Sequence, residues 1–183
     1  MAQFGGPKLV KALHFDGKAK EQLIKGINKI ATAVGSTLGA SGRTVVIEDD
    51  FGNPYVTKDG VTVANSILLN NPVENLGVSM MKQAAQKTAS AAGDGTTTSI
   101  VLTKAIIDSY DILKGYEYSF RDIKTGITKF KEHIINFLSK KAVNVDNKEL
   151  YNVSTISANN DKELGTLIAK AFEGSGENGI VTM

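Results

Sequence analysis

Six consecutive residues, Gly93-Asp94-Gly95-Thr96-Thr97-Thr98, combine the side-chain types that phosphate chemistry uses. A helix beginning after Gly95 offers unpaired backbone N–H groups and a partial positive charge at its N-terminus. Phosphate binds at such helix ends. Glycines let the backbone come close to the ligand, and threonine hydroxyls add donors. An aspartate beside them suits Mg2+, a hard cation that prefers oxygen ligands and usually bridges to phosphate. The same six residues also make an ordinary turn and N-cap, and both readings stand at this level. The segment is not a Walker A loop, because G-x-x-x-x-G-K-[ST] occurs nowhere in the chain.

Two more segments carry similar punctuation. Thr37-Leu38-Gly39-Ala40-Ser41-Gly42 follows a strong helical stripe. Its glycines either admit a ligand close to the backbone or simply end the helix. Thr57-Lys58-Asp59-Gly60 precedes another helical stretch, so Asp59 either positions a water or a metal, or caps the helix. A general base for phosphoryl transfer is an oxygen or nitrogen acceptor near the attacking water. With His14 and His133 the only histidines, the carboxylates of Asp59 and Asp94 are the candidates. No acid–base set beyond these two carboxylates is visible for an unrelated nucleotide-dependent transferase.

The elements that must position these segments are mainly helical. Leu23, Ile27, Ile30, Val34 and Leu38 recur at spacings of three and four, which predicts one helix face between an N-cap at Asp16 and a stop at Gly39. Thr44 to Ile47 reads as a β-branched strand, Phe51-Gly52-Asn53-Pro54 as a turn, and Tyr55 to Thr57 as the returning strand of a hairpin. Helices are predicted over 61–69, from Val73 to Gly93 through Leu76, Met80, Ala84 and Ala91, and from Gly95 to about Lys114. Gly115 to Tyr118 breaks the pattern. Phe120, Ile123, Ile127, Phe130, Ile134 and Phe137 then give the cleanest helical stripe, read here as core. From about Lys140 the chain is more polar, with a helix near Leu150 and another from Asp161 to about Phe172. Gly179 to Met183 reads as a strand.

Composition sets the class. The 183 residues are 42% hydrophobic and 22% charged, an ordinary balance for a folded domain with a buried core. The formal net charge of +2 gives no electrostatic reason to expect nucleic acid or an anionic membrane as a partner. With no cysteine, disulfides, thiolate zinc sites and cysteine catalysis are excluded. A histidine metal site would need both histidines from distant positions. The first residues lack the basic and apolar regions of a signal peptide, and no apolar run approaches a membrane span. The expectation is therefore a cytoplasmic protein.

Taken in order, the segments resemble those of the group I chaperonins. T-L-G-x-x-G-R-x-V-V is similar to that family's first nucleotide loop and strand, and F-G-x-P-x-x-T-K-D-G-V-x-V-A to its hairpin and following helix. E-N-L-G-V resembles the start of the next helix, A-A-G-D-G-T-T-T-S the family's phosphate-binding segment, and T-I-S-A-N-N-D with G-x-x-G-I-V-T its intermediate-domain segment. The resemblance runs from about Lys11 to Thr182. It implies a mainly α fold with a small β hairpin, the helical bundle of a chaperonin equatorial domain over residues 1–140. Residues 141–183 would begin the intermediate domain.

The resemblance also implies an activity: binding and hydrolysing Mg-ATP, in a ring-shaped homo-oligomer, to drive refolding of unfolded client proteins. Asp94 would coordinate Mg2+, with K+ as a further cation. Gly95, Thr96, Thr97 and Thr98 would cradle phosphate oxygens. Thr37, Leu38, Gly39 and Ala40 would lie along the nucleotide, Lys58 would contact the same site, and Asp59 would orient the attacking water as the catalytic residue. Ala40-Ser41 departs from the family's Pro-Lys, which loosens the loop and removes a positive charge. Gly115 to Ser119 departs from its Gly-x-Asn-Pro turn. By the same resemblance, the apical domain that binds clients and co-chaperonin and the second half of the equatorial domain would lie outside these 183 residues, so apolar helix faces are expected to be exposed. The alternative is a truncated, non-catalytic module that binds chaperonin partners without turnover.

Overall fold

The computed structural model describes residues 13–15, 17–39, 41–49, 51–113, 115–176 and 179–182. Its elements are α1 (Gly17–Gly35), β1 (Val45–Glu48), β2 (Pro54–Thr57), α2 (Gly60–Ser66), α3 (Pro72–Ala92), α4 (Thr96–Leu113), α5 (Phe120–Lys141), α6 (Asn147–Ser157) and α7 (Lys162–Ser175). The mainly helical class with one small hairpin is thus as expected. β1 and β2 pair antiparallel with Val45 opposite Thr57 and Glu48 opposite Pro54. The chain divides into two compact units, one ending at Tyr118 and one beginning at Ser119.

The first unit is organised around a core of Ile27, Ile30, Val34, Val63, Ala64, Val78, Met81, Ala85 and Ile100, supplied by α1 to α4. Gly26 and Gly77 sit where α1 and α3 cross. A Cβ on Gly26 would run into the Glu74 carbonyl, and one on Gly77 into that of Leu23. Only glycine allows backbones this close. Lys29 adds an ion pair to Glu74 at 2.6 Å, and Lys20 pairs with Asp111 of α4 at 3.1 Å. As half-exposed pairs these add at most about 1 kcal/mol each.

The glycine crossing explains one departure from the sequence reading. The predicted face of α3 ran through Leu76 and Met80, yet both are exposed, and the buried residues are Val73, Gly77, Val78, Met81 and Ala85. The helix turns its glycine inward because that face admits the closest approach to α1.

Other ends also moved. α1 stops at Gly35 rather than Gly39, because Ser36 and Thr37 donate their hydroxyls to the carbonyls of Ala33 and Val34. Such bonds compete with continuation of the helix. Its expected N-cap, Asp16, lies outside the described residues. α2 ends at Ser66 rather than Leu69, where Ser66 bonds back to the Val63 carbonyl and Ile67 is extended. Gly179–Thr182 forms no strand, since a strand needs a partner to bond, and Met183 lies outside the described residues.

In the second unit α6 and α7 pack on each other. Gly165 of α7 lies so close to Thr155 of α6 that a Cβ would strike its backbone, and Ser154 and Ala169 are buried there. α5 has no buried residue. Its stripe of Phe120, Ile127, Phe130, Ile134 and Phe137 is exposed, against the expectation of core.

Candidate functional site

α3 ends at Gly93, a left-handed C-cap with φ 72° that donates its N–H to Ala89. Gly95 follows with φ 84°. Residues with side chains rarely adopt these angles, so the two glycines fold the chain sharply into α4. The first helical bond of α4 runs from the Ser99 N–H to the Gly95 carbonyl at 2.9 Å. The N–H groups of Thr96, Thr97 and Thr98 are therefore outside the helix ladder. Asp94 is exposed beside them, its Oδ1 accepting from the Gly95 N–H at 2.6 Å.

Asp59 caps α2. Its Oδ1 accepts from the Val61 N–H at 3.3 Å, while Oδ2 accepts from the Thr62 N–H at 2.8 Å and the Thr62 hydroxyl at 2.5 Å. Partial burial pushes its carboxyl up. The Thr62 hydroxyl and the Thr62 and Val61 N–H groups together outweigh that and hold it below the ordinary carboxylate range. It is anionic at neutral pH. With three of about four acceptor positions used, it retains capacity for a water. Thr57, buried beneath it, accepts from the Asp59 N–H at 3.0 Å.

Gly60 brings these pieces together. A Cβ there would collide with the Thr97 hydroxyl and lie 3.3 Å from Val34 Cγ1. The start of α2 thus sits against the first turn of α4 and the last turn of α1. Beyond Val34, the α1 terminus turns through Thr37, whose hydroxyl donates to the Val34 carbonyl at 2.7 Å. Gly39 is left-handed with φ 76°, and the Arg43 N–H returns to the Ser36 carbonyl at 2.7 Å. Two of the segments singled out in the sequence, 57–60 and 93–98, therefore meet at Gly60, and the third follows three residues after Val34.

Leu38 and Lys58 are exposed, and among the described residues no hydrogen bond joins either to α4. Ala40 lies outside the described residues. Among the described residues no group of three or more His, Asp or Glu side chains gathers as a metal-binding set. A divalent cation here would rest on Asp94 with oxygens from its ligand, the mode Mg2+ commonly adopts. The sequence reading passed over Gly60 itself and Lys82, which packs behind the site. The signal for Gly60 was a glycine directly after a capping aspartate.

Residues 30–181 match the TCP-1/cpn60 chaperonin family. The chaperonin gp146 from the bacteriophage EL 2 (Pseudomonas aeruginosa), determined in the presence of ATP-BeFx, is similar in structure. It shares 30% identity over 89% of this chain and 29% of its own, with a TM-score of 0.75. A second crystal form of gp146 gives 30% identity and a TM-score of 0.76, over 90% and 29%. A group III chaperonin in the open state gives 26% identity and a TM-score of 0.67, over 84% and 31%. The chain belongs to the TCP-1/cpn60 chaperonin family. It spans about three-tenths of the length of the chaperonins it matches. No helix among the described residues is long and apolar enough to cross a membrane.

Proposed function

We propose that this chain is the amino-terminal part of a group I chaperonin subunit whose Gly93–Thr98 turn binds the phosphates of Mg-ATP. The observation that carries the reading is Gly60, which seats the Asp59 cap against Thr97 and Val34. Phosphate oxygens would accept from the N–H groups of Thr96 to Thr98, which lie outside the helix ladder, and from the threonine hydroxyls. Asp94 would hold Mg2+, which on binding neutralises phosphate charge; K+ would be a further cation. Thr37, Leu38, Gly39 and Ala40 would flank the nucleotide, with Lys58 near its phosphates.

Asp59, anionic and already oriented by Val61 and Thr62, would accept a hydrogen bond from the attacking water and align it in line with the γ-phosphate. Residues 1–140 would be equatorial domain and 141–183 the start of the intermediate domain. The complete subunit would be a cytoplasmic ATPase in a homo-oligomeric ring. It would refold unfolded clients with a co-chaperonin through an apical domain, and would engage neither nucleic acid nor membrane.

A calorimetric titration of the chain with Mg-ATP, paired with its native mass, tests this. Binding by a monodisperse species supports a self-sufficient half-site. Absence of binding means that the remaining part of a subunit is needed, and favours the non-catalytic module.

A further inference from the structure

Behind the site, Lys82 of α3 reaches across to α2. Its Nζ donates to the Asn65 carbonyl at 2.9 Å. α2 has only seven residues, too short to hold its own conformation. Its N-terminal end is held by Asp59 and by the seat of Gly60 on Thr97. Its C-terminal end carries carbonyls with no helical partner, where a cation is favoured. Lys82 supplies that cation from another helix, the one that leads directly into Gly93–Thr98.

A second feature makes the link consequential. Between α2, α3 and α4 lies a small cavity of about 30 Å³, lined among others by Val61, Lys82, Gln86 and Thr96. Packing alone therefore does not fill the space beneath the first turn of α4. A two-turn helix beside a void can shift, whereas filled interiors resist displacement. The half-buried Lys82 spans α3 to α2 at the edge of this gap. Burial also pushes its ammonium below the usual lysine range, as expected for a head group drawn off water.

We infer that Lys82 is a positioning residue: by fixing the C-terminal end of α2 it holds Gly60 on Thr97, and so holds Asp59 at the start of α4. This rests on the nucleotide reading of the site for its functional meaning, but its structural content does not depend on it.

The test compares the parent chain with Lys82→Met, which keeps the apolar stem and loses the donor, and Lys82→Arg, which keeps a cationic donor. In the nucleotide-free chain, Lys82→Met is expected to raise hydrogen exchange of the α2 amides Val63 to Ile67 about tenfold or more. It should also abolish the nuclear Overhauser contact between Gly60 and the Thr97 β-proton, with helix content unchanged. Lys82→Arg restores both. With Mg-ATP, the Met variant binds about tenfold more weakly and the Arg variant as the parent does. An intact Gly60–Thr97 contact with α2 still protected in Lys82→Met overturns the inference, as does an Arg variant that folds with α2 unprotected. Should the parent fail to bind Mg-ATP, the nucleotide reading of this chain falls, while the α2 measurements still decide the role of Lys82.

Discussion

α1 and α5 carry the same kind of sequence and meet opposite fates. Each has large apolar residues recurring every three or four positions over about five turns. In α1 that face is sealed: Ile30 and Val34 are 0% exposed. In α5 Phe130 is 66% exposed, and no residue of the helix is buried. Periodicity states which face of a helix wants a partner; it does not state whether one is within the same chain. α1 has α3, brought to backbone distance by Gly26 and Gly77. The glycine in α5, Gly126, has nothing near it.

The largest effect that tests this contrast is on stability. Ile30→Ala should destabilise the first unit by about 2–5 kcal/mol, the cost of a core cavity. Ile134→Ala in α5 should change stability by less than about 0.5 kcal/mol, as for an exposed site. Urea unfolding of both variants measures it, and equal losses would mean that α5 is packed in solution.

Next comes the seat between α2 and α4. Gly60→Val drives a side chain into Thr97 and Val34 and should cost about 1–3 kcal/mol by overpacking. It should also abolish Mg-ATP binding, whereas Gly126→Val in the open α5 should leave binding intact. Calorimetry on the two variants sharpens the comparison, and equal binding by Gly60→Val would mean that the seat of Gly60 on Thr97 does not shape a nucleotide site.

A smaller change is expected at Asp94, which is exposed and carries no packing. Asp94→Ala should weaken Mg-ATP binding roughly tenfold, about 1.4 kcal/mol, with circular dichroism unchanged. Binding equal to the parent would take the cation from Asp94.

The smallest effect separates the two uses of Asp59. Asn is as good an N-cap as Asp, so Asp59→Asn should keep α2 folded and retain nucleotide. Turnover should fall in an assembly that contains the complete pocket, and unaltered turnover would count against the water-orienting role. The acid limb of stability adds a check. The Asp59 carboxyl is held below its unfolded value of 3.8. Its contribution is therefore fully present above that value and is lost as pH falls through the lower folded value. Stability of Asp59→Asn should lack this part of the acid slope below about pH 4.

Much of the fold was legible because its signals are local. The hairpin follows from β-branched residues flanking Phe51-Gly52-Asn53-Pro54. Its turn is held by Asp49, whose carboxylate accepts from the N–H groups of Phe51 and Asn53. Asp59, Asn71, Ser119, Asp146 and Asp161 all cap helices with their own side chains. Such caps are readable as short polar residues before apolar runs. The turn from α3 into α4 was legible for the same reason, as Gly93 and Gly95 lie two residues apart and their left-handed angles depend on residue type.

By itself the sequence determined the helical class, the hairpin, the chaperonin motifs and the residue types at the turn into α4. Each depends on neighbours within a few positions, where sterics and hydrogen bonding act directly. Only the tertiary structure decided that α3 buries Gly77 rather than Leu76, that Gly60 rests on Thr97, that Lys82 reaches Asn65, and that α5 stands uncovered. These are contacts between residues distant in sequence. They are selected by how closely two backbones can approach and by which apolar face is available to receive another, and neither quantity is written in the spacing of a single helix.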